Sequence, residues 1–373
     1  MHGDPNWPKG LAIRPITAND VKLNVGHYRA VPESGDDVDD VEQSVGEFGI
    51  AGRTWEAAIA MRMYLTPPNG CLSSSTLAFE PPCPLFDTHD VSERLQKGKR
   101  RRTVVEVGSG TGYLSLALAP WLESSDTIVM TDLDDVCPLL ERNLDQARTR
   151  WRERRREACQ VLVRPLPWGS SSALATLLDE LEASQSFAAD DSRHPVDVVL
   201  ASDLIYFPFL YPCLLRTLIE LTQPRRSRSA QESKAEAPTP SSPLVLFSYK
   251  VRSLTKETPF WAAFGRWFEF EPVLVAEYEE DNDGSEAEAE RERPPTNGGT
   301  SDASLTNKLR LGPWQRFGVG DEDELFVFVC VRRQESFDWP VPDEDSELMS
   351  GGAGGGSGGD DQFERILLCS IDL

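Results

Sequence analysis

The stretch VVEVGSGTGYLSLAL, residues 104–118, begins as an apolar run and ends in an apolar pattern with helical spacing. Three glycines, Gly108, Gly110 and Gly112, lie in the turn between the two parts. Because glycine has no side chain to block access, such a turn lets backbone amides approach a ligand closely. The stretch therefore predicts a ligand-binding turn at the carboxyl end of a buried strand.

The residues that are present in the turn, and those that are absent from it, indicate which kind of ligand it binds. A phosphate-binding P-loop would need a lysine, and none is present. A dinucleotide fingerprint would place its third glycine at position 113, which is Tyr113. Asp132 ends the next apolar run, where a carboxylate can accept the hydroxyls of a ribose. With Glu106 before the turn, the pattern favours a cofactor that combines a nucleoside with an amino-acid tail.

From residue 103 onward, short apolar runs alternate with segments of helical periodicity. The predicted strands are 103–108, 127–132, 159–168, 196–203, 243–252, 269–278 and 324–333. Near-continuous Val, Ile and Leu runs separated by helices indicate an α/β fold whose mostly parallel sheet is covered on both faces. We therefore expect a doubly wound, Rossmann-like sheet of seven strands.

Composition restricts the class of protein. The 373 residues carry a net charge of -23, which argues against nucleic-acid binding and permits attraction to a lysine-rich protein surface. No apolar stretch is long enough to span a membrane, and the first ten residues do not resemble a secretion signal. Seven scattered cysteines and four dispersed histidines predict reduced thiols and no metal site. We expect a monomeric cytoplasmic protein, with the nucleus left open by the basic cluster KGKRRR at 97–102.

The turn also carries a recognisable motif. Glu106, Gly108, Gly110 and Gly112 match the E/D-x-G-x-G-x-G pattern, and the chain here resembles the class I, seven-strand S-adenosylmethionine methyltransferases. The resemblance implies S-adenosylmethionine as the cofactor. It also implies the strand order 3-2-1-4-5-7-6, with the seventh strand antiparallel.

Three further segments narrow the resemblance to protein-lysine methyltransferases of this class. SDLIYFP (202–208) resembles their D-x-x-Y signature, GRTWEAA (52–58) their upstream tryptophan motif, and PLPWG (165–169) their Trp-Gly after the third strand. The resemblance covers about residues 45–278 and 324–333. It implies methylation of a lysine on a folded protein such as a translation elongation factor or a chaperone.

The same motifs name the candidate site residues. We expect the cofactor to contact Trp55, Glu106, Gly108, Ser109, Gly110, Gly112, Asp132, Trp168 and Ser202. Asp203 and Tyr206 are the candidate catalytic residues: the first would accept a hydrogen bond from the lysine amine, and the second would line the lysine channel. The alternatives are structural, with Asp203 and Asp132 capping helices, Tyr206 at a rim, and both tryptophans in the core.

Composition divides the chain into three parts. The predicted organisation is a polar, acidic arm at 1–44, a methyltransferase domain at 45–333 with insertions at about 66–100, 223–242 and 279–323, and an acidic, glycine-rich flexible tail at 334–373. FERILLCSIDL at 363–373 is expected to fray, with a docking peptide as the alternative. The arginine-rich run 148–156 predicts a solvated helix end, which could also contact an acidic surface.

Two other functions remain open at this stage. One is a methyltransferase that acts on a small molecule or on another residue type with the same fold. The other is a module that binds the cofactor without catalysis.

Overall fold

The computed structural model describes residues 13–16, 21, 41–67, 77–86, 101–185, 194–224, 242–280, 309–319, 324–350 and 360–369. The described helices are α1 (Val45–Phe48), α2 (Glu56–Tyr64), α3 (Tyr113–Leu118), α4 (Cys137–Glu153), α5 (Ser171–Gln185), α6 (Tyr211–Leu221), α7 (Leu254–Trp267), α8 (Asp345–Ser350) and α9 (Gln362–Cys369). The strands are β1 (Leu77–Glu80), β2 (Thr103–Val107), β3 (Thr127–Asp132), β4 (Gln160–Pro165), β5 (Val198–Ser202), β6 (Leu244–Lys250), β7 (Phe268–Pro272), β8 (Leu274–Glu280), β9 (Leu309–Leu311), β10 (Gln315–Arg316) and β11 (Leu325–Arg332).

Seven strands form the main sheet in the order β4-β3-β2-β5-β6-β11-β7. Neighbours from β4 to β6 pair in parallel, and β11 is antiparallel to both β6 and β7. Numbered along the chain, this is the predicted order 3-2-1-4-5-7-6, which is confirmed together with the α/β fold. The chain leaves β2 toward β4 and then returns to β5, so the strand order reverses between β2 and β5. A crevice for ligands forms at such a switch point.

Helices cover both faces of the sheet, as the buried strands require. The five residues of β2 are all buried, and their side chains alternate between two apolar clusters. Val104 packs in the cluster that includes α2, α3 and α4, whereas Val105 and Val107 pack in the cluster that includes α5, α6 and α7. The central strands are thereby fixed, and their carboxyl ends are held in one place.

The predicted sixth strand is two strands rather than one. Pro272 is the last residue of β7 to pair with β11, and the amide of Val273 still donates to the carbonyl of Val327 at 2.8 Å. After Val273 the chain enters β8, which belongs to a second, antiparallel sheet with β1 and β10, while β9 also pairs with β8. The insertions predicted around these strands lie largely outside the described residues.

The prediction of a flexible tail is wrong for residues 334–350 and 360–369. Helices α8 and α9 both pack against α7. Phe363 of α9 is only 1% exposed, and its ring stacks on Trp261 with centroids 4.8 Å apart. The amide of the Gln362 side chain also donates to the backbone carbonyl of Phe270. The glycine run between α8 and α9 therefore connects two packed helices.

Candidate active site

A cavity of about 420 Å³ lies at the carboxyl ends of β2, β3 and β5. Ten of the eleven predicted site residues line it: Trp55, Glu106, Gly108, Ser109, Gly110, Asp132, Trp168, Ser202, Asp203 and Tyr206. They come from five separate segments of the chain, which meet because parallel strands end at the same edge of the sheet. Gly112 does not line the cavity.

The glycine turn needs glycine for steric reasons at each of its three positions. The φ angles of Gly108, Gly110 and Gly112 are 65°, 53° and 75°, in the left-handed region that other residues rarely adopt. A Cβ atom on Gly108 would lie 2.9 Å from the Trp168 ring, and one on Gly112 would lie 2.9 Å from the sulfur of Met130. Gly108 thus keeps space at the cavity, whereas Gly112 is the N-cap of α3 and is packed against core side chains.

Asp132 connects the turn to the tip of β3. Its Oδ2 accepts a hydrogen bond from the amide of Gly110, and its Oδ1 accepts one from the amide of Leu133, both at 2.8 Å. Helix α4 begins only at Cys137, with Val136 at the N-cap, so Asp132 does not cap it. Burial raises the pKa of Asp132 to about 6. Each oxygen retains lone pairs that could accept a ribose hydroxyl.

Glu106 lies beneath the turn and is 3% exposed. Its Oε2 accepts a hydrogen bond from the hydroxyl of Ser115 at 2.5 Å. Burial, with a smaller contribution from the nearby charge of Asp132, raises the pKa of Glu106 to about 7. Two carboxylates therefore border one cavity at the cost of desolvation, an arrangement that suits a cationic ligand. S-adenosylmethionine carries a sulfonium and an amine, so its charge suits a cavity bordered by these two carboxylates.

Two serines support the walls of the cavity. The hydroxyl of Ser109 accepts a hydrogen bond from the amide of Thr131 at 3.0 Å and donates to the carbonyl of Glu106. The hydroxyl of Ser248 donates to that of Ser202 at 3.0 Å. These bonds join the glycine turn to β3, and β5 to β6.

Asp203 follows β5 and is held in an unusual conformation. Its φ angle is 60°, its residue exposure is 4%, and its amide donates to the carbonyl of Ser248 at 2.8 Å. Arg252, which follows β6, donates to both carboxylate oxygens, at 2.6 and 2.5 Å. The alternative that Asp203 caps a helix does not apply, because Phe207 and Leu210 occupy the N-cap positions of the helical segments that follow.

Charged groups surround Arg252 at the edge of the cavity. Glu56 forms ion pairs with Arg53, Lys250 and Arg252 at 3.0, 3.5 and 3.8 Å. The guanidinium carbons of Arg53 and Arg252 lie 4.2 and 5.2 Å from the ring centroid of Trp55. Sequence reasoning named Trp55 but missed these four charged residues. The segment SYKVR at 248–252 contains two of them, Lys250 and Arg252, and was the sequence signal that could have identified this pair.

Aromatic rings also border the cavity, from Trp168, Tyr206 and Phe207. Tyr206 lies 6.3 Å from Trp168 and 4.9 Å from Phe207, measured between ring centroids. Phe209 stacks on Phe207 at 5.4 Å and is 57% exposed. Burial raises the pKa of Tyr206 above its usual value, so its hydroxyl stays protonated at neutral pH.

A short N-terminal segment also borders the cavity. Ile13 and Arg14 line it, and Arg53 donates to the carbonyl of Arg14 at 2.9 Å. The side chain of Gln43 exchanges two hydrogen bonds with the backbone of Ile16. These few residues of the predicted weakly ordered arm therefore contact the domain.

The described residues contain neither a metal-binding cluster nor a membrane-spanning helix. In those ranges, no group of three or more His, Cys, Asp or Glu side chains is arranged to hold a metal ion. Among the helices described above, none is long and apolar enough to cross a membrane.

The strand order, with its antiparallel last strand, and the glycine turn beside two carboxylates define a class I methyltransferase fold. Comparison with known families makes the assignment specific. The lysine methyltransferase family matches residues 35–235, more than half of the chain, and the chain belongs to that family. Membership implies S-adenosylmethionine as the cofactor.

Individual relatives agree with the family. Protein-lysine N-methyltransferase EFM6 of Saccharomyces cerevisiae is 28% identical over 181 residues, 48% of this chain and 60% of the relative. Protein-lysine N-methyltransferase EFM3 of Chaetomium thermophilum is 27% identical over 169 residues, 45% of this chain and 38% of the relative. The chain thus spans less than two thirds of either relative. Among solved structures, precorrin-6y C5,15-methyltransferase from Geobacter metallireducens matches 67% of this chain and 91% of its own, at 11% identity and a TM-score of 0.29.

Proposed function

We propose that this protein is a protein-lysine N-methyltransferase that uses S-adenosylmethionine. The observation that carries the proposal is the single cavity wall that joins Gly108 and Asp132 to Asp203 and Tyr206. A cofactor site and a site for the methyl acceptor are thereby continuous, which methyl transfer by direct displacement requires.

The cofactor would be held by the glycine turn and by the two buried carboxylates. Asp132 would accept the ribose hydroxyls, and Glu106 would face the cationic amino-acid end. When bound, S-adenosylmethionine supplies a methyl group activated by its sulfonium. The protein has to position the acceptor and to keep water out.

The acceptor lysine has to lose a proton, since the ammonium form of lysine has no lone pair and its usual pKa is about 10.4. Arg53, Lys250 and Arg252 lie at one edge of the cavity, with Glu56 and Asp203 as their carboxylate partners. The charge of Glu257 also acts on Arg252, so the positive and negative groups at this edge balance. Desolvation in the cavity lowers the pKa of an amine, and the nearby sulfonium of the cofactor would lower it further, so the neutral amine is favoured.

Asp203 would orient that amine. A carboxylate has about four acceptor positions, and Arg252 uses one on each oxygen. Oδ2 has no other donor among the described residues, so it can accept a hydrogen from the amine and fix the direction of the nitrogen lone pair. The ion pair with Arg252 also makes Asp203 a weaker partner for an ammonium ion. Tyr206 would line the lysine channel with its ring.

The substrate class rests on the resemblance and on the two named relatives. We propose a folded protein such as an elongation factor or a chaperone, acted on in the cytoplasm by a monomeric enzyme. The exposed ring of Phe209, continuous with the cavity through Phe207, supports a protein rather than a small acceptor.

Calorimetric titration of the full chain with S-adenosylmethionine tests the first half of the proposal. Incubation of the protein with cell extract and tritium-labelled cofactor, followed by mass spectrometry of the labelled band, tests the second half. Trimethylated, dimethylated or monomethylated lysine in a protein band would support the proposal. Label confined to small molecules or to another residue type would favour the alternative methyltransferase, and binding without any transfer would favour a silent module.

A further inference from the structure

A second cavity lies at the opposite end of the sheet from the candidate active site. It has a volume of about 270 Å³ and lies between the end of α4 and the start of β4, the edge strand of the main sheet. Arg148, Trp151, Arg152 and Arg156 line it, and we call these four residues the arginine groove. Since α4 runs for 17 residues away from the tip of β3, roughly 25 Å of helix separates the groove from Asp132.

The charge of this region is opposite to that of the whole chain. Residues 148–156, RTRWRERRR, contain six arginines, whereas the protein has a net charge of -23. Glu153, within the run, and Glu157, just after it, are exposed, and Asp145 pairs with Arg148 at 3.3 Å. Residues 145–157 thus contain six arginines and three carboxylates.

The backbone after α4 holds an arginine where glycine is usual. Arg155 has a φ angle of 52°, and the amide of Arg156 donates to the carbonyl of Trp151 at 2.9 Å, which closes the helix as a left-handed cap. Residues with a Cβ atom rarely adopt this conformation. The turn brings the guanidinium of Arg156 over the ring of Trp121, at 4.2 Å from the centroid.

Ordinary structural roles account for part of the cluster. Arg148 donates to the carbonyl of Val161 at 3.3 Å and so protects the edge strand from pairing with another chain. Arginines in the last turn of α4 also interact favourably with the helix dipole. The contact of Arg156 with Trp121 accounts for one arginine beyond the end of the helix. None of these roles explains why Arg152 lines a cavity together with Trp151.

We propose that the arginine groove binds a short acidic segment of a protein partner. The planar guanidinium group binds carboxylates through two parallel hydrogen bonds, and the flanking tryptophan offers apolar area beside them. A short peptide is favoured over a nucleic acid because the net charge of -23 repels an extended polyanion beyond the groove. The site is independent of the methyl-transfer cavity and would hold the partner while that cavity stays accessible.

Fluorescence anisotropy tests the proposal with the full-length protein. The probe is a fluorescein-labelled oligoglutamate of about ten residues, and the comparator is an oligouridylate of equal length, both at about 50 and about 200 mM salt. Arg152→Gln/Arg156→Gln should weaken peptide binding by about tenfold or more. The matched control, Arg310→Gln/Arg365→Gln, removes two exposed arginines elsewhere and should leave it unchanged.

Circular dichroism shows without any cofactor whether each variant is folded, so failure of this proposal is distinct from failure of the proposed enzyme function. No peptide binding by the wild-type protein would overturn the proposal. Binding of the peptide by the groove variant as tightly as by the wild-type protein would also overturn it. Tighter binding of the RNA than of the peptide would overturn it as well and would indicate a nucleic-acid site instead.

Discussion

Arg252 donates to both carboxylate oxygens of Asp203, and the two residues lie 49 positions apart in the chain. They meet because β5 and β6 are parallel neighbours whose carboxyl ends point the same way. The pair makes one wall of the cavity, and Asp203 adopts a left-handed backbone conformation there. The chemistry proposed for this protein therefore depends on a pair rather than on a single carboxylate.

Asp203→Asn should reduce methyl transfer by about 100-fold or more, with the cofactor Kd changed by no more than a few-fold. Asparagine tolerates the φ angle of 60°, so the fold is retained while the charge that orients the amine is lost. Single-turnover transfer of labelled methyl to the identified substrate measures the rate, and calorimetry measures the Kd. Wild-type activity in this variant would remove Asp203 from the mechanism.

Gly108→Ala should weaken S-adenosylmethionine binding by about tenfold or more, because the new Cβ requires a strained φ angle. It would also lie 2.8 Å from Leu204 and 2.9 Å from Trp168. Gly46→Ala is the matched control, since nothing lies within 4 Å of its Cβ position. Calorimetry should show an unchanged Kd for the control. Equal affinity of both variants would contradict the role of the glycine turn.

Glu106→Gln should reduce the pH dependence of stability of the cofactor-free protein. The pKa of Glu106 is raised from 4.5 to about 7 in the folded protein. Below the lower value the carboxyl group is protonated in both the folded and the unfolded state, so its burial involves no charge. As pH rises from the lower value through the higher one, ionisation favours the unfolded state and the folded protein loses stability. We expect wild-type stability to fall by up to about 3 kcal/mol between about pH 5 and about pH 8 from this group. Asp132, whose pKa is raised to about 6, adds to the same slope in both proteins.

Urea unfolding at several pH values measures this difference. The variant should lose less stability than the wild-type protein over the same range, because glutamine does not ionise. Identical slopes for the two proteins would show that Glu106 is not buried as a carboxylic acid.

Phe363→Ala should lower the free energy of unfolding by about 3 to 5 kcal/mol, because it empties a ring-sized space against Trp261 and Phe328. Leu368→Ala, on the same helix, should change it by less than about 0.5 kcal/mol, since that side chain is 65% exposed. Denaturant unfolding of both variants measures these differences and so distinguishes a docked α9 from a frayed terminus. Equal stability of the two variants would favour the frayed terminus.

Much of the fold was predictable because its signals are local. Continuous apolar runs predicted the buried strands, and the glycine turn after β2 predicted the position of the cavity. The ten predicted residues that line the cavity follow from the rule that parallel strands end at one edge. Gly112 shows the limit of the motif. It matches the sequence pattern, but its α-carbon lies against the core next to Met130 rather than at the cavity.

Other features depended on contacts between distant segments. Phe363 lies in a stretch whose composition resembles a frayed end, and only the apolar surface of α7 makes it a core residue. Arg53 and Glu56 lie within GRTWEAA and Lys250 and Arg252 within SYKVR, but neither segment indicates that the four charges meet in one site. Periodicity and backbone conformation are set by neighbours along the chain, and they determined the strands, the turn and the class of cofactor. Pairing of charges and docking of helices are set by proximity in space, so the partner of Asp203 and the position of α9 were decided only by the tertiary structure.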